Sequence, residues 1–307
     1  MTNVFIDGSA GTTGLRIRER LSDRKDLRLV ILPEDLRKDP SARADALNSA
    51  DISFLCLPDA AAIEAVSYVT DPHAVIIDTS TAHRTAEGWT YGMPELTGYR
   101  EMIVAAKRIA NPGCHATGFI ALVAPLMENG LLSSDVRLSA FSLTGYSGGG
   151  KKMIAEYEAS DINPLYRAPR QYGLSQTHKH LPEMAAVCGL RHAPLFCPVV
   201  APYYAGMEVT VPLSPAETTA SPEEIKKVYQ DYYRSGLIRF AEAPDESGFL
   251  SAGALAGRDS LEVSVYGNNE RILLVSRFDN LGKGASGAAI QNMNLVLGLD
   301  ESTGLKR

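Results

Sequence analysis

A chain of 307 residues with 45% apolar and 21% charged side chains has the composition of a folded globular protein, which excludes disorder as its main theme; at roughly 150 residues per domain it accommodates two domains. The 30 basic and 36 acidic residues give a formal charge of −6 with no Lys/Arg block, so a nucleic-acid footprint is excluded, whereas a local basic pocket for a phosphorylated small molecule is not. No apolar run approaches the roughly 18 residues of a membrane span, and the opening MTNVFIDGSAG lacks a basic and then apolar secretion signal. Cys56, Cys114, Cys188 and Cys197 are scattered without a CxxC pair, which argues against a disulfide framework or a zinc site. The expected location is the cytoplasm.

In chain order, residues 4–6 read as a strand, 15–21 as a helix, 27–32 as a strand and 42–48 as a helix. A strand at 52–57, a helix at 60–68 and a strand at 74–78 follow. Near-continuous apolar strands separated by helices indicate a parallel sheet covered on both faces, the logic of a doubly wound, Rossmann-like α/β domain. After about residue 135 the pattern changes. Segments 136–144, 199–212, 261–266 and 272–278 are strand-like and more alternating. Ser221-Pro222-Glu223-Glu224 combines a serine N-cap, a first-turn proline and a glutamate at N3, a capping box that predicts a helix running to about Arg234. A final helix is expected over 285–297. Few helices between strands suggest a second, α+β domain with a largely antiparallel sheet.

Five motifs carry chemistry. Gly8-Ser9-Ala10-Gly11-Thr12-Thr13-Gly14 follows the first strand; glycines there permit a tight turn and let a pyrophosphate approach a helix N-terminus. At the end of the second strand, Glu34 suits a ribose diol, whereas Arg37 and Lys38 suit a 2′-phosphate. Asn111-Pro112-Gly113-Cys114-His115 delivers a cysteine to the start of an apolar helix, where the helix dipole favours the nucleophilic thiolate. The other three cysteines sit in apolar runs and read as core. His178-Lys179-His180-Leu181-Pro182-Glu183 places two histidines before a helix opened by Pro182. If extended, they point the same way, a candidate acid/base pair with Glu183 as orienting partner. No further ligand cluster has metal spacing, so no metal is expected. Two glycine-rich loops, Gly145-Tyr146-Ser147-Gly148-Gly149-Gly150-Lys151-Lys152 and Asn280-Leu281-Gly282-Lys283-Gly284, suit anionic groups.

Together these motifs resemble the N-acetyl-gamma-glutamyl-phosphate reductase family, in its shorter subgroup within the aspartate-semialdehyde dehydrogenase superfamily. The resemblance rests on GSAGTTG at 8–14, DTSTAHR at 78–84, YGMPEL at 91–96, NPGCHATG at 111–118, GYSGGGKK at 145–152, HKHLPE at 178–183 and NLGKGASGAAIQN at 280–292. These occur in family order over nearly the whole chain. His115 departs from the longer subgroup, which has an aromatic residue after the cysteine. The resemblance implies NADPH-dependent reduction of an acyl phosphate to an aldehyde in arginine biosynthesis, with Cys114 as nucleophile, His180 as acid/base, and His178, Tyr172 and Glu183 in support. NADP(H) contacts are implied at residues 8–14, Arg37, Lys38, Ser80, Asn280, Gly282 and Lys283, and substrate contacts at Arg84, Asn111, Ser147 and Gly148. The implied domains are an NADP-binding domain over 1–115, completed by a C-terminal helix in 285–307, and a catalytic and oligomerisation domain over 116–284. A homodimer or homotetramer is implied. Reduction of another acyl phosphate, of aspartyl or amino-adipyl type, remains open, as does a non-catalytic NADP-binding regulator.

Overall fold

The computed structural model describes all 307 residues, and the chain divides into two compact units. The first comprises residues 1–112 and 285–305; the second comprises 113–284 and 306–307.

The first unit is built on six parallel strands, β1 (Thr2–Asp7), β2 (Leu27–Val30), β3 (Ile52–Leu55), β4 (Val75–Asp78), β5 (Thr90–Tyr91) and β6 (Arg108–Ala110), in the order β2-β1-β3-β4-β6-β5. Alternate strand residues face opposite layers. Val4, Ile6, Ile52, Phe54 and Ile77 pack with Ile17 and Leu21 of α1 (Thr12–Leu21) and with Ala289, Ile290 and Met293 of the chain's last helix. Phe5, Leu55 and Ile76 pack with Leu47 of α2 (Pro40–Ser49) and Ala62 of α3 (Asp59–Ser67). Both faces are therefore covered, as the continuous apolar runs require. A short α4 (Tyr99–Ala105) precedes β6; neither it nor the two-residue β5 carries enough periodicity to be legible in the sequence.

The second unit opens with α5 (Cys114–Glu128), which is buried on almost every side. It lies against a seven-stranded mixed sheet of β7 (Ser139–Gly145), β8 (Arg170–Gln171), β9 (Leu195–Ala201), β10 (Met207–Leu213), β11 (Ile238–Phe240), β12 (Leu261–Asn268) and β13 (Arg271–Phe278). The order is β11-β12-β13-β10-β7-β9-β8. Only β11–β12 and β7–β9 pair parallel, so the sheet is largely antiparallel. A Cβ at Gly118 would lie 2.5 Å from Val209 and 2.8 Å from Phe278. That close seating of α5 on β10 and β13 puts Cys114 and His115 in the second unit, three residues before the expected boundary at 115. Lys306 also belongs to it, through hydrogen bonds with Asp259 in both directions. The helices α6 (Gly150–Glu158), α7 (Leu181–Cys188) and α8 (Pro222–Tyr232) complete this unit.

Three expectations need correction. The segment 199–212 is not one strand: β9 and β10 are separated by a turn at 202–206, with Gly206 at φ +123° where a Cβ would meet Ala252 O at 2.5 Å. The two strands then flank β7, one parallel and one antiparallel. The capping box at Ser221 and Glu224 forms as expected, but α8 ends at Tyr232. Finally, the chain enters its last helix, α9 (Gly287–Val296), through a π-helical turn over Gly282–Ser286.

Candidate active site

The sequence NPG starts α5 with a residue that cannot cap it. Gly113 is the N-cap and supplies no side chain, so the first N–H groups of a buried helix lack an internal partner. A carboxylate from a different element answers this: Gly113 N–H donates to Glu183 Oε1 at 2.8 Å, and Glu183 is buried in the first turn of α7. Cys114 is the first helical residue, at the positive end of the dipole, where thiolate is favoured. A Cβ at Gly284 would come within 3.0 Å of Cys114 Cβ and 3.2 Å of Asp279 O, so a side chain there would crowd the cysteine.

Rings gather around His115, the residue that follows Cys114. His115 and His178 have centroids 5.5 Å apart, His115 and His180 5.5 Å, and His178 and His180 4.7 Å, and Phe196 packs edge-on against His115 and His178. His115 Nε2 is 2.6 Å from Tyr172 Oη, and its Nδ1 is 2.7 Å from Ser142 Oγ. Burial, reinforced by the neighbouring His178, pushes the His115 pKa down to about 3, so it is a neutral imidazole at ordinary pH. Burial and the nearby Cys114 push the Tyr172 phenol upward. The 178–180 segment is a turn and not extended: His180 has helical angles as the N-cap of α7, and its N–H donates to His178 Nδ1 at 3.2 Å. The two rings meet at 84° through this turn, not by strand alternation.

In the first unit, Gly8 adopts φ +83°, and a Cβ there would lie 2.3 Å from Cys56 O. A Cβ at Gly14 would lie 2.4 Å from Gly8 O, and Gly11 N–H donates to Gly8 O at 2.9 Å. Two of the three glycines are thus required by close backbone approach. Gly11 is the N-cap of α1 and provides no side-chain cap, while Thr12 Oγ1 is buried without a partner. Open N–H groups beside an unpartnered hydroxyl fit a bound phosphate.

The family model described as semialdehyde dehydrogenase, dimerisation domain, matches residues 114–280, and the one described as semialdehyde dehydrogenase, NAD binding domain, matches 31–106. N-acetyl-gamma-glutamyl-phosphate reductase 2 from Nostoc sp. is 45% identical over 98% of both chains, and N-acetyl-gamma-glutamyl-phosphate reductase from Burkholderia ambifaria is 46% identical over 96% of both. The chain belongs to the N-acetyl-gamma-glutamyl-phosphate reductase family. Its fold is that of aspartate semialdehyde dehydrogenases. The Vibrio cholerae enzyme II complexed with ASA matches at TM-score 0.72 and 18% identity over 97% of this chain and 98% of that one. The Candida albicans enzyme with NADP matches at 0.69 and 16% over 98% and 99%.

Within this reductase-family chain, Arg84 of the first unit donates from Nε to Asn111 O at 3.0 Å and from Nη2 to Thr79 O at 3.2 Å. Asn111 is itself fixed, donating to Ala285 O at 3.1 Å and accepting from Asn292 at 3.4 Å. Ser80 caps back onto buried Asp78 through both its N–H and its hydroxyl. Arg37 Nε donates to Leu32 O at 3.3 Å, whereas Lys38 is exposed. In the second unit, Asn280 accepts from Gly206 N–H at 2.9 Å and donates to Ser147 Oγ at 3.0 Å. Its side chain therefore orders two loops. Gly282 is demanded by packing, since a Cβ would sit 2.0 Å from Arg258 O, and Lys283 is buried. Gly148 has room beside Thr144 and Asn280.

Sequence reasoning missed three groups. His115 was only a point of departure from the longer subgroup, yet it is the hub of the ring cluster; its place directly after the cysteine on a helix was the available signal. Asp78 joins His83 Nδ1 at 2.6 Å, and His83 stacks on Trp89 at 4.0 Å. Asp7 pairs with Arg43 at 3.0 Å, which also reaches Glu64 at 3.0 Å; nothing in the local sequence links these three. No group of three or more His, Cys, Asp or Glu side chains is arranged to hold a metal ion, and no helix is long and apolar enough to cross a membrane.

Proposed function

We propose that this protein reduces N-acetyl-gamma-glutamyl phosphate to N-acetylglutamate semialdehyde and phosphate with NADPH, a step of arginine biosynthesis in the cytoplasm. The observation that carries this reading is Cys114 at the start of α5, followed by His115, whose ring meets those of His178 and His180 and whose Nε2 meets Tyr172 Oη, with Glu183 on the preceding N–H.

The Cys114 thiolate attacks the acyl carbon, its sulfur forms the new bond, and phosphate leaves with the electron pair of the broken C–O bond. The acyl group is then a thioester on Cys114. This replaces one difficult displacement by two easier ones. NADPH, when bound, supplies the hydride that brings the acyl carbon to the aldehyde level. Collapse of the tetrahedral adduct returns the electron pair to sulfur and frees the aldehyde. The acyl oxygen becomes negative in each addition, and the N–H groups of the first turn of α5 are placed to receive that charge. His180 takes the thiol proton at the outset, with His178 held against it through its backbone N–H. Arg84 and Asn111 are the substrate-phosphate candidates, with Ser147 and Gly148 lining the substrate. The 8–14 loop, Thr12 Oγ1 and Ser80 are the groups to hold the dinucleotide, with Arg37 and Lys38 on its 2′-phosphate.

The test is the reverse reaction. N-acetylglutamate semialdehyde should drive phosphate-dependent reduction of NADP⁺ with a higher kcat/KM than aspartate or amino-adipate semialdehydes. No turnover of any of them by folded protein would overturn the reading. A preference for NADPH that survives Arg37→Ala with Lys38→Ala would remove that pair from the 2′-phosphate role.

The same reading includes a homodimer or homotetramer. Phe141, Leu195 and Leu273 are exposed, and the strand register places them on one face of the mixed sheet, opposite α5. Phe141→Glu should shift the protein to monomer in sedimentation; an unchanged species would move the interface elsewhere.

A further inference from the structure

A buried acid stands directly before the glycine loop of the first unit. Asp7 is the last residue of β1 and is 3% exposed. Its backbone O accepts from Cys56 N–H at 2.8 Å, which locks the strand end to the end of β3, and its carboxylate holds the N–H of Gly8. Gly8 Cα follows Asp7 Cα at about 3.8 Å across a trans peptide. Gly8 O in turn accepts from Gly11 N–H at 2.9 Å, and Gly11 is the N-cap of α1. The carboxylate therefore lies within roughly 10 Å of the open N–H groups of α1, about one Debye length, and burial leaves little water to screen it. An acid so placed repels the phosphate that the helix terminus attracts.

Arg43 of α2 meets this charge. It is buried, and each of its nitrogens is engaged: Nε donates to Asp7 Oδ2 at 3.0 Å, Nη1 to Glu64 Oε2 at 3.0 Å and Nη2 to Ala61 O at 3.3 Å. Core stability does not account for the pair, because matched apolar residues serve an interior as well as a buried ion pair does. The other ionisable groups around Asp7 are Glu64, Tyr68, Cys56 and Asp78. Arg43 lies over the Tyr68 ring at 5.5 Å, and the Cys56 thiol is pushed upward by burial and further by Asp78 and Asp7. Of all these groups only Arg43 is cationic.

We propose that Asp7 and Arg43 are positioning residues for the dinucleotide: the acid fixes the first peptide of the phosphate loop, and the guanidinium offsets the charge that the acid would otherwise turn on the diphosphate. The inference rests on the reading of residues 8–14 as the NADP(H) phosphate loop. Burial raises the Asp7 carboxyl above its ordinary value, and Arg43 draws it back down. Removal of the guanidinium therefore sends the carboxyl further up, toward protonation nearer neutral pH.

Calorimetric titration with NADP⁺ from about pH 5.5 to about pH 8.5 tests this, with each variant compared to wild type so that the cofactor's own titration cancels. Arg43→Met keeps an apolar stem and removes the charge. It should weaken NADP⁺ binding about 10- to 30-fold at the alkaline end, and the loss should shrink toward the acid end as Asp7 takes up a proton. Asp7→Asn combined with Arg43→Met should return to within about threefold of wild type at every pH, because the two residues act as one unit. Asp7→Asn alone keeps an oxygen for Gly8 N–H while removing the repulsion, and should bind about threefold tighter. If Arg43→Met does not fold, the sign of that last change decides. A loss in Arg43→Met that is equal at all pH values, a double variant no better than Arg43→Met, or weaker binding by Asp7→Asn would mark a purely structural staple and overturn the proposal. Wild-type protein that binds no NADP⁺ would sink the reading of the loop and this inference with it. Wild-type binding with an unaltered Arg43→Met profile would sink the inference alone.

Discussion

Two helices in this chain begin in the same way and are put to different use. Both α1 and α5 have a glycine N-cap and no side-chain cap, so each presents open N–H groups at its positive end. At α1 the neighbours are backbone and a lone threonine hydroxyl, an arrangement suited to a resident anion whose charge does not change. At α5 the first residue is itself ionisable, a buried carboxylate has taken the preceding N–H, and aromatic and imidazole rings stand alongside. The lesson is that a helix terminus alone does not define chemistry. What faces the terminus decides whether it holds a charge permanently or stabilises one that comes and goes.

Several substitutions would break or sharpen this contrast. Cys114→Ala should lower kcat by a factor on the order of 10⁴ or more, because the covalent step is lost, while NADPH titration by fluorescence stays as in the wild type. Gly14→Ala should act on the other terminus. Its Cβ would lie 2.4 Å from Gly8 O, and a displacement of the loop should weaken NADPH binding by about 100-fold with Cys114 alkylation unchanged. A common loss of both functions in either variant would contradict the separation.

The change in acid stability on substituting His115 probes the α5 site. Burial pushes the His115 imidazole down to about 3 in the fold, against its ordinary value of 6.5. Within that window the unfolded chain binds a proton that the folded chain refuses. Stability from this residue is therefore complete above the upper value and falls as pH drops toward the lower one. The slope approaches about 1.4 kcal/mol per pH unit. His115→Gln should flatten the dependence in urea melts at pH 4 and pH 7. The smallest effect is expected at α8, whose terminus is closed by its own side chains: Ser221→Ala should cost about 1 kcal/mol and leave kcat unchanged, since this helix end faces no chemistry.

Much of this molecule was legible before folding was considered. The strands of the first unit run on buried apolar residues, and the capping box of α8 is written in four consecutive residues. The cysteine of NPGC stands apart from the others by its helix-start position, and burial pushes its counterpart Cys56 up to about 12, the behaviour of a core thiol. The split of 199–212 into β9 and β10 was hidden, because Gly206 turns the chain for the sake of a contact with Ala252, far away in sequence. Likewise the partners of Asn280, which the resemblance implies as an NADP(H) contact, were hidden: its amide is held by Gly206 and Ser147, both distant in sequence.

The sequence by itself determined the parallel first sheet, the glycine turn before α1 and the placement of Cys114 at a helix start, because periodicity and capping are local and act over a few residues. Tertiary structure alone decided that Glu183 would meet Gly113, that His115 would bridge Ser142 and Tyr172, and that Arg43 would join Asp7 to Glu64. Those pairings join residues 21 to 70 positions apart. Buried polar groups must find partners wherever packing brings them, and no local pattern records which partner that will be.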